Sequence, residues 1–331
     1  MAFPNSTQRV QLGFESPIGT GTSANRQCRA IAFTFKPEIG TKQFSANGRR
    51  FMTHHVVNTE WVSFTFTGEG SYTELLFILE NLFGTSSVTD VGSTNQGKQR
   101  NYTPGTTGDI TPRSWFIEWG DANNVNEINY GIVTGIEVTY DRQNGVSYSG
   151  EGFARKHVTG AGFTSSPAFL SSQPIAGGHI NVYADSASGS IGGTQLTTTF
   201  LSATWSYKNA FAPFWDADRA QTSFRSHVSM KPQTELKLVL AENSTSRTLS
   251  VDLATGVTRY IRLQCQGANI ETSADHLFQT DIAAILKSRE AWTDVNGVYA
   301  REYNFDILDD GAWGKALDIR VTNTVSSAQL G

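Results

Sequence analysis

Clustered positive charge is what this sequence lacks most clearly: 26 lysines and arginines stand against 30 aspartates and glutamates over 331 residues, for a net charge of −4. Tight binding to duplex DNA needs several cations along one surface to neutralise phosphates, so a strong nucleic-acid binder is excluded. Cysteine is nearly absent. Cys28 and Cys265 are too few and too far apart for a disulfide framework, and read as buried or idle thiols, with a Cys28–Cys265 bridge as the lesser alternative. No stretch approaches the ~18 uninterrupted apolar residues of a membrane span. The opening residues, MAFPNSTQRVQLGFES, lack a basic start followed by an apolar run, so neither a membrane segment nor a secretion signal is expected. Charged residues are only 17% of the chain while aromatics reach 11% and glycines number 31, a balance that favours short strands and turns over solvated helices.

What is present is alternation. Ile31, Phe33 and Phe35 share one face of a strand, as do Val62, Phe64 and Phe66. The same period recurs at Ile136, Val138 and Tyr140, at Leu236, Leu238 and Leu240, and from Tyr299 through Arg301, Tyr303 and Phe305 to Ile307. One segment departs from it. Ser71 stands three residues before Glu74 as a capping box, Leu75, Ile78, Leu79 and Leu82 fall at helical spacing, and Gly84 supplies a stop. This pattern predicts a short amphipathic helix laid by its leucine face on a sheet. Asp275 to Glu290 scores as strand early and helix late. Between Gly84 and Ser114 the chain is polar and longer than most connections within a domain, so residues 85–112 are expected to form an exposed loop. Residues 161–193, rich in Gly, Ser and Ala, read as a linker with one short strand around Ile180 to Tyr183, between domains spanning 1–160 and 194–331.

Chemical motifs are few, and each has a plainer reading. Gly92, Gly97 and Lys98 nearly match a phosphate-binding loop, but Gln99 replaces the hydroxyl that ligates magnesium and Pro104 follows instead of a helix. A flexible loop is the expectation. Glu118 between Trp115 and Trp119, with Glu60 beside Trp61, invites a carbohydrate site with paired carboxylates. Parity puts the two tryptophans on one face and Glu118 on the other, which favours tryptophans in a core or interface and a solvated Glu118. His54, His55, His157, His179, His227 and His276 show neither the helical spacing of a zinc site nor a partner Cys-x-x-Cys, and no nucleophile elbow is present. No catalytic, cofactor-binding or metal-binding residues are assigned.

Self-similarity is the strongest signal. Thr59-Glu60 opens an alternating strand followed by a turn and an apolar segment closed by Gly84; Thr234-Glu235 opens another, followed by Asn243 to Ser246 and an apolar segment closed by Gly256. Compact strands come next, Arg113 to Trp119 and Arg259 to Cys265. Asn144-Gly145-Val146 then recurs as Asn296-Gly297-Val298, leading into strands that carry Tyr148 and Tyr299. A strand with Leu317, Ile319 and Val321 before Asn323 closes the second copy.

With these features the chain resembles the major tail tube proteins of long-tailed, siphovirus-type bacteriophages. The resemblance rests on Gly13, Phe14, Glu15, Ser16 and Pro17 leading to Gly19-Thr20, the strand and helix ending in Phe83-Gly84, the strand pair around Tyr130 to Phe153, and the terminal Leu-x-Ile-x-Val-x-Asn strand. It implies a mainly β protein of two tandem β-sandwich or barrel domains, the first with a short flanking helix. It further implies assembly in the host cytoplasm into the rings of a virion tail tube, without cofactor or active site. DNA would pass through the lumen without tight binding, and tape-measure and tail-end proteins would be partners besides the chain itself. Duplicated units imply three chains per ring; single units would give six. The rival readings are a carbohydrate-binding β-module and, less favoured, a glycoside hydrolase using Glu118 or Glu60. On the tail-tube reading, the 85–112 loop is the expected contact between stacked rings.

Overall fold

The computed structural model describes residues 8–21, 23–169, 171–217 and 222–330. Strand takes 56% of residues and helix 10%, so the fold is mainly β. The first half of the chain forms β1 (Arg9–Phe14), β2 (Arg26–Cys28), β3 (Ile31–Phe44), β4 (His54–Glu69), α1 (Leu75–Phe83), β5 (Val88–Val91), β6 (Gly97–Tyr102), β7 (Trp115–Asp121), β8 (Asn124–Asp141), β9 (Gly145–Ala154) and β10 (Val158–Ala161). The second half forms β11 (Ile180–Asp185), β12 (Phe200–Lys208), β13 (Phe211–Phe214), β14 (Ser226–Ser229), β15 (Gln233–Ala241), α2 (Ser244–Thr255), β16 (Thr258–Glu271), β17 (Ala274–Arg289), β18 (Thr293–Val295), β19 (Val298–Ile307), β20 (Leu317–Asn323) and α3 (Ser327–Leu330).

One order of antiparallel pairing occurs twice. In the first half it runs β3–β4–β9–β8, with β7 beside the first part of β8 and β1 beyond β7. In the second it runs β12–β15–β19–β17, with β16 beside the first part of β17 and β11 beyond β16. The remaining edge of the long strand carries β10 in one half and β20 in the other. A helix follows the second strand of each series, α1 packing on β8 and α2 on β17. The two series are joined edge to edge, because Ser202–Tyr207 of β12 pair with Ile136–Asp141 of β8.

Burial explains the alternation. Val62, Phe64, Phe66, Ile136, Val138, Tyr140, Leu236, Leu238 and Leu240 all point into one continuous apolar core. That core crosses the β8–β12 junction: Trp205 donates its indole N–H to the Tyr140 hydroxyl at 3.3 Å, and Tyr140 lies parallel to Phe278 with centroids 6.0 Å apart. The segment from Asp275 resolves as strand up to Arg289, since β17 is buried along most of its length on both faces and so lacks the clean alternation of a half-exposed strand.

Three expectations are corrected. Helix α1 ends at Gly84, but Ser71 and Glu74 form no capping box: the Ser71 hydroxyl meets Thr73, while the Glu74 carboxylate accepts from the backbone N–H groups of Arg29 (3.1 Å) and Ala30 (2.8 Å). The helix is also not amphipathic in use, because every residue from Leu75 to Leu82 is buried. Its sequence, LLFILENLF, is apolar on nearly all sides, as a helix enclosed by protein requires. Finally, residues 85–112 are not loop throughout. They hold the β5–β6 hairpin, and β6 pairs with β20, so this segment extends the sheet of the second half.

Strand β8 bends where it passes from one set of neighbours to the next. Tyr130 takes a left-handed conformation with φ of 56°, and pairing slips between Trp115 and Ile117 on β7 and between Val133 and Gly135 on β8. Backbone groups released there are met by side chains. Tyr130 donates its N–H to Glu15, while Asn81 of α1 donates to the Gly131 carbonyl at 2.9 Å and accepts from the Val133 N–H at 2.7 Å. Burial pushes the Glu15 carboxyl up, opposed by hydrogen bonds from Ser114, Tyr130 and Gly19. Replacing Asn81 by Ala leaves two buried backbone groups unpaired and is expected to cost roughly 2–5 kcal/mol in urea unfolding. Asn81→Leu, which keeps most of the volume, should lose a comparable amount; a loss below about 0.5 kcal/mol in both would contradict this account.

Candidate assembly surfaces

The residues weighed for catalysis are engaged in structure. Trp115 is fully buried, and Trp119 stacks on Phe35 with centroids 3.9 Å apart and on His157 at 5.3 Å. Glu118, expected in solvent, is instead buried and accepts from the Thr164 N–H (2.9 Å) and hydroxyl (2.8 Å). Parity did put it opposite the tryptophans, but the chain at Thr164 covers that second face. Glu60 accepts from the Thr222 hydroxyl and pairs with Lys156 at 3.1 Å, which together hold its carboxyl below the usual range despite some burial.

The histidines are dispersed. His54 and His55 are exposed at the start of β4, His157 contacts Asn126, and His179 and His227 meet the hydroxyls of Tyr72 and Tyr130. Burial lowers the pKa of His157, His227 and His276. Among the described residues no three His, Cys, Asp or Glu side chains converge as a metal site would require, and both Cys28 and Cys265 are free thiols. A cavity of about 440 Å³ beside α1 holds Glu15, Glu80, Arg100 and Arg113. Its Glu80 carboxylate already accepts from Ser86, Tyr102 and Arg113, with Arg100 at 3.9 Å.

The phosphate-loop-like segment makes an anion nest after all, but the anion is the chain's own. The turn between β5 and β6 wraps the Glu271 carboxylate, which accepts from the N–H groups of Thr94 (2.6 Å), Gln96 (2.5 Å) and Gly97 (3.3 Å) and from the hydroxyls of Ser93 and Thr94. Gly92, at φ 96°, lies so close that a Cβ there would come within 2.4 Å of that carboxylate. Lys98, the would-be phosphate lysine, bonds Asp90 at 2.6 Å instead. Gly92, Gly97 and Lys98 mark this turn in the sequence, where a flexible loop is expected; the donors Thr94 and Gln96 and their ligand Glu271, far along the chain, are not apparent there.

Exposed apolar surface lies elsewhere. Past their pairing with the rest of the sheet, β3 and β4 continue as a two-stranded arm whose residues 39–58 are exposed on both faces and turn at Asn47-Gly48. Ile39 (61% exposed), Phe44, Phe51 (84%), Met52, Val56 and Val57 lie on it. An isolated hairpin is marginal in water, so an arm with this much apolar surface calls for a partner. The available signal in the sequence was Asn47-Gly48 between two long runs of strand-forming residues.

Two strand edges are also open. β3 pairs only with β4, leaving its outer edge without a strand partner among the described residues. At the other end of the ladder, the edge of β17 away from β19 is covered by β16 only as far as Ile285; the following residues and β18 have no partner there among the described residues. Trp292, between β17 and β18, is 59% exposed, and Tyr299, on β19 opposite Asp294 of β18, is 73% exposed.

No protein-family model matches the chain, and no curated protein matches it. Among the described residues no helix is long and apolar enough to cross a membrane.

The nest predicts an acid-sensitive clasp. Thr94 and the turn amides hold the Glu271 carboxyl at about 2, below the ~4.3 of an unfolded glutamate, so the contribution is complete above that unfolded value and is lost as pH falls through the folded one. Side-chain titration by NMR should give a Glu271 midpoint near 2. In Glu271→Gln, amide exchange at Thr94 and Gln96 should accelerate at least about tenfold at neutral pH. A normal carboxylate midpoint with unchanged exchange would refute the clasp.

Proposed function

We propose that this chain is a structural subunit that assembles into stacked rings forming the tail tube of a long-tailed bacteriophage, the conduit for DNA delivery. The observation that carries the reading is the doubled pairing order, β3–β4–β9–β8 and β12–β15–β19–β17, each with a helix after its second strand and a further strand pair at the long strand's first part. On this reading the chain contains two tandem tail-tube-type domains already joined as ring neighbours through β8 and β12. Units repeated by a fixed rotation close a ring. Three chains then make a ring of six units, the alternative being six chains.

The arm replaces residues 85–112 as the proposed contact between rings. The β5–β6 hairpin is engaged within the chain on β20 and Glu271, whereas the arm leaves the sheet with its apolar residues unpaired. A net charge of −4 suits a conduit that must not retain DNA. Tape-measure and tail-end proteins would be the other partners. The carbohydrate readings gain little, because Trp115 is buried and Glu118 and Glu60 are bonded to Thr164, Thr222 and Lys156.

Negative-stain images of purified protein should show rings or tubes, and light scattering should give a ring mass of three chains; a monomer under all conditions would overturn the reading. Binding to duplex DNA at physiological salt should be weaker than about 1 μM, the range of non-specific contact. Replacing residues 42–56 by a short turn should leave rings that form but do not stack. Tubes of normal length from that variant would remove the arm from the account.

A further inference from the structure

Arg100, on β6, is a buried cation without a hydrogen-bond acceptor. Its side chain is 1% exposed, yet Nε, Nη1 and Nη2 all lack a hydrogen-bond partner among the described residues. Glu80 comes nearest, but its Oε1 stands 3.9 Å from Nε, too far for a hydrogen bond. That carboxylate is also saturated: Oε1 accepts from the Ser86 N–H (3.4 Å), the Ser86 hydroxyl (2.9 Å) and the Tyr102 hydroxyl (3.1 Å), and Oε2 accepts from Arg113 at 3.2 Å. A carboxylate offers about four acceptor positions, so Glu80 has none left for Arg100. Glu15, the other carboxylate at this place, is engaged by Ser114, Tyr130 and Gly19. Desolvation lowers the Arg100 pKa against the opposing pull of Tyr102 and Glu80, but a guanidinium stays charged in a protein. A charge and several N–H donors left unmet in the interior are costly, and buried charges are ordinarily both paired and hydrogen-bonded.

Arg100 does not stand in solid packing, for it lines the cavity of about 440 Å³ beside α1. The other walls divide by chemistry. Ser16, Thr85 and Ser327 bring hydroxyls that can donate to a ligand's oxygens, while Pro17, Ile18 and Leu330 are apolar. We propose that this cavity binds a small oxyanion, a carboxylate or a phosphate group, with two of its oxygens meeting the Arg100 fork. That fork matches paired oxygens on one atom better than it matches a single halide. The guanidinium nitrogens are nearly shielded from solvent, so the anion is met by a shift of the side chain toward the cavity, and Arg100 has no hydrogen bond to break in moving. A water molecule's share of liquid is about 30 Å³, so the cavity has room for the anion together with a short organic remainder against the apolar wall. Bound there, the anion would tie residues 15–18 and 327–330 to the end of α1 and to β6. Every group belongs to one chain, so the site does not depend on assembly.

Calorimetric titration of the full chain with inorganic phosphate and, separately, with acetate, in chloride buffer of matched ionic strength, tests the site. Phosphate should bind once per chain with a Kd below about 1 mM. Acetate binding as well identifies any paired oxygens as sufficient, whereas phosphate binding alone identifies a phosphate group as the ligand. Phosphate also stabilises proteins in general by exclusion from their surface, so thermal melts compare the wild type with Arg100→Met. Replacing chloride by about 20 mM phosphate should raise the wild-type Tm by about 3 °C and that of Arg100→Met by less than about 1 °C. Arg100→Lys keeps the charge without the fork and should bind phosphate at least about tenfold more weakly, a measurement that serves if Arg100→Met does not fold. Absence of saturable binding by either anion up to about 20 mM in the wild type would overturn the proposal, as would wild-type affinity in Arg100→Lys or an equal thermal gain in Arg100→Met.

Discussion

Strand β8 is the constraint on which the remainder depends, because one run of backbone must serve two sets of neighbours. Its first part pairs with β7 and β10, its second with β9 and β12. A regular strand cannot turn between those sets without releasing hydrogen-bonding groups into a dry interior, where each unpaired group costs about 1–3 kcal/mol. Glu15 and Asn81 are placed at that point to receive them. This accounts for a helix buried on all sides: α1 must approach β8 closely enough for a short asparagine side chain to reach the backbone, so apolar residues surround Asn81 and Glu80. It also accounts for a carboxylate kept inside against the cost of desolvation, since it pairs with the N–H of Tyr130, a residue in an unfavourable conformation.

The two helices show how one position in a fold can meet opposite demands. α1 is apolar and enclosed, with Phe77 against Phe14 and Phe83 edge-on to Tyr207. α2 (STSRTLSVDLAT) is polar and buries only part of its surface, so it relies on local devices: Asn243 and Ser246 form a reciprocal capping box and Gly256 closes the other end in a left-handed conformation. Asp252 then pairs with Arg259 at the start of β16 through two hydrogen bonds, of 2.7 and 3.0 Å.

Alternation was legible because it reports a local fact, which residues of a strand face the core. Val62, Phe64 and Phe66 and Leu236, Leu238 and Leu240 were identifiable on that basis, as was the end of α1 at Gly84. What escaped reading were partnerships across long separations. Glu74 lies at the right spacing for a cap, yet bonds to Arg29 and Ala30 in the bend between β2 and β3. Residues 85–112 have the composition of a loop because β5 and β6 are short and polar; they hold strand geometry through β20 and Glu271, neither of which a local window contains. The arm was missed for the converse reason. Ile39, Phe44 and Phe51 follow strand-like sequence but serve no core in their own chain, and hydrophobicity alone does not tell a buried face from one awaiting a partner.

The covalent continuity across the β8–β12 seam changes the kinetics of any higher-order structure built from this chain. A seam between separate molecules forms at a rate set by their encounter in solution and opens again when they are dilute. Joined through one polypeptide, β8 and β12 face each other at an effective concentration on the order of millimolar, whatever the abundance of the protein. Half the edge contacts of a closed ring would therefore be settled during folding, and the order in concentration of the remaining process would be halved. In any such assembly, joining two units in one chain would trade the simplicity of a single repeating unit for a process that begins from fewer bodies and tolerates a lower supply of each.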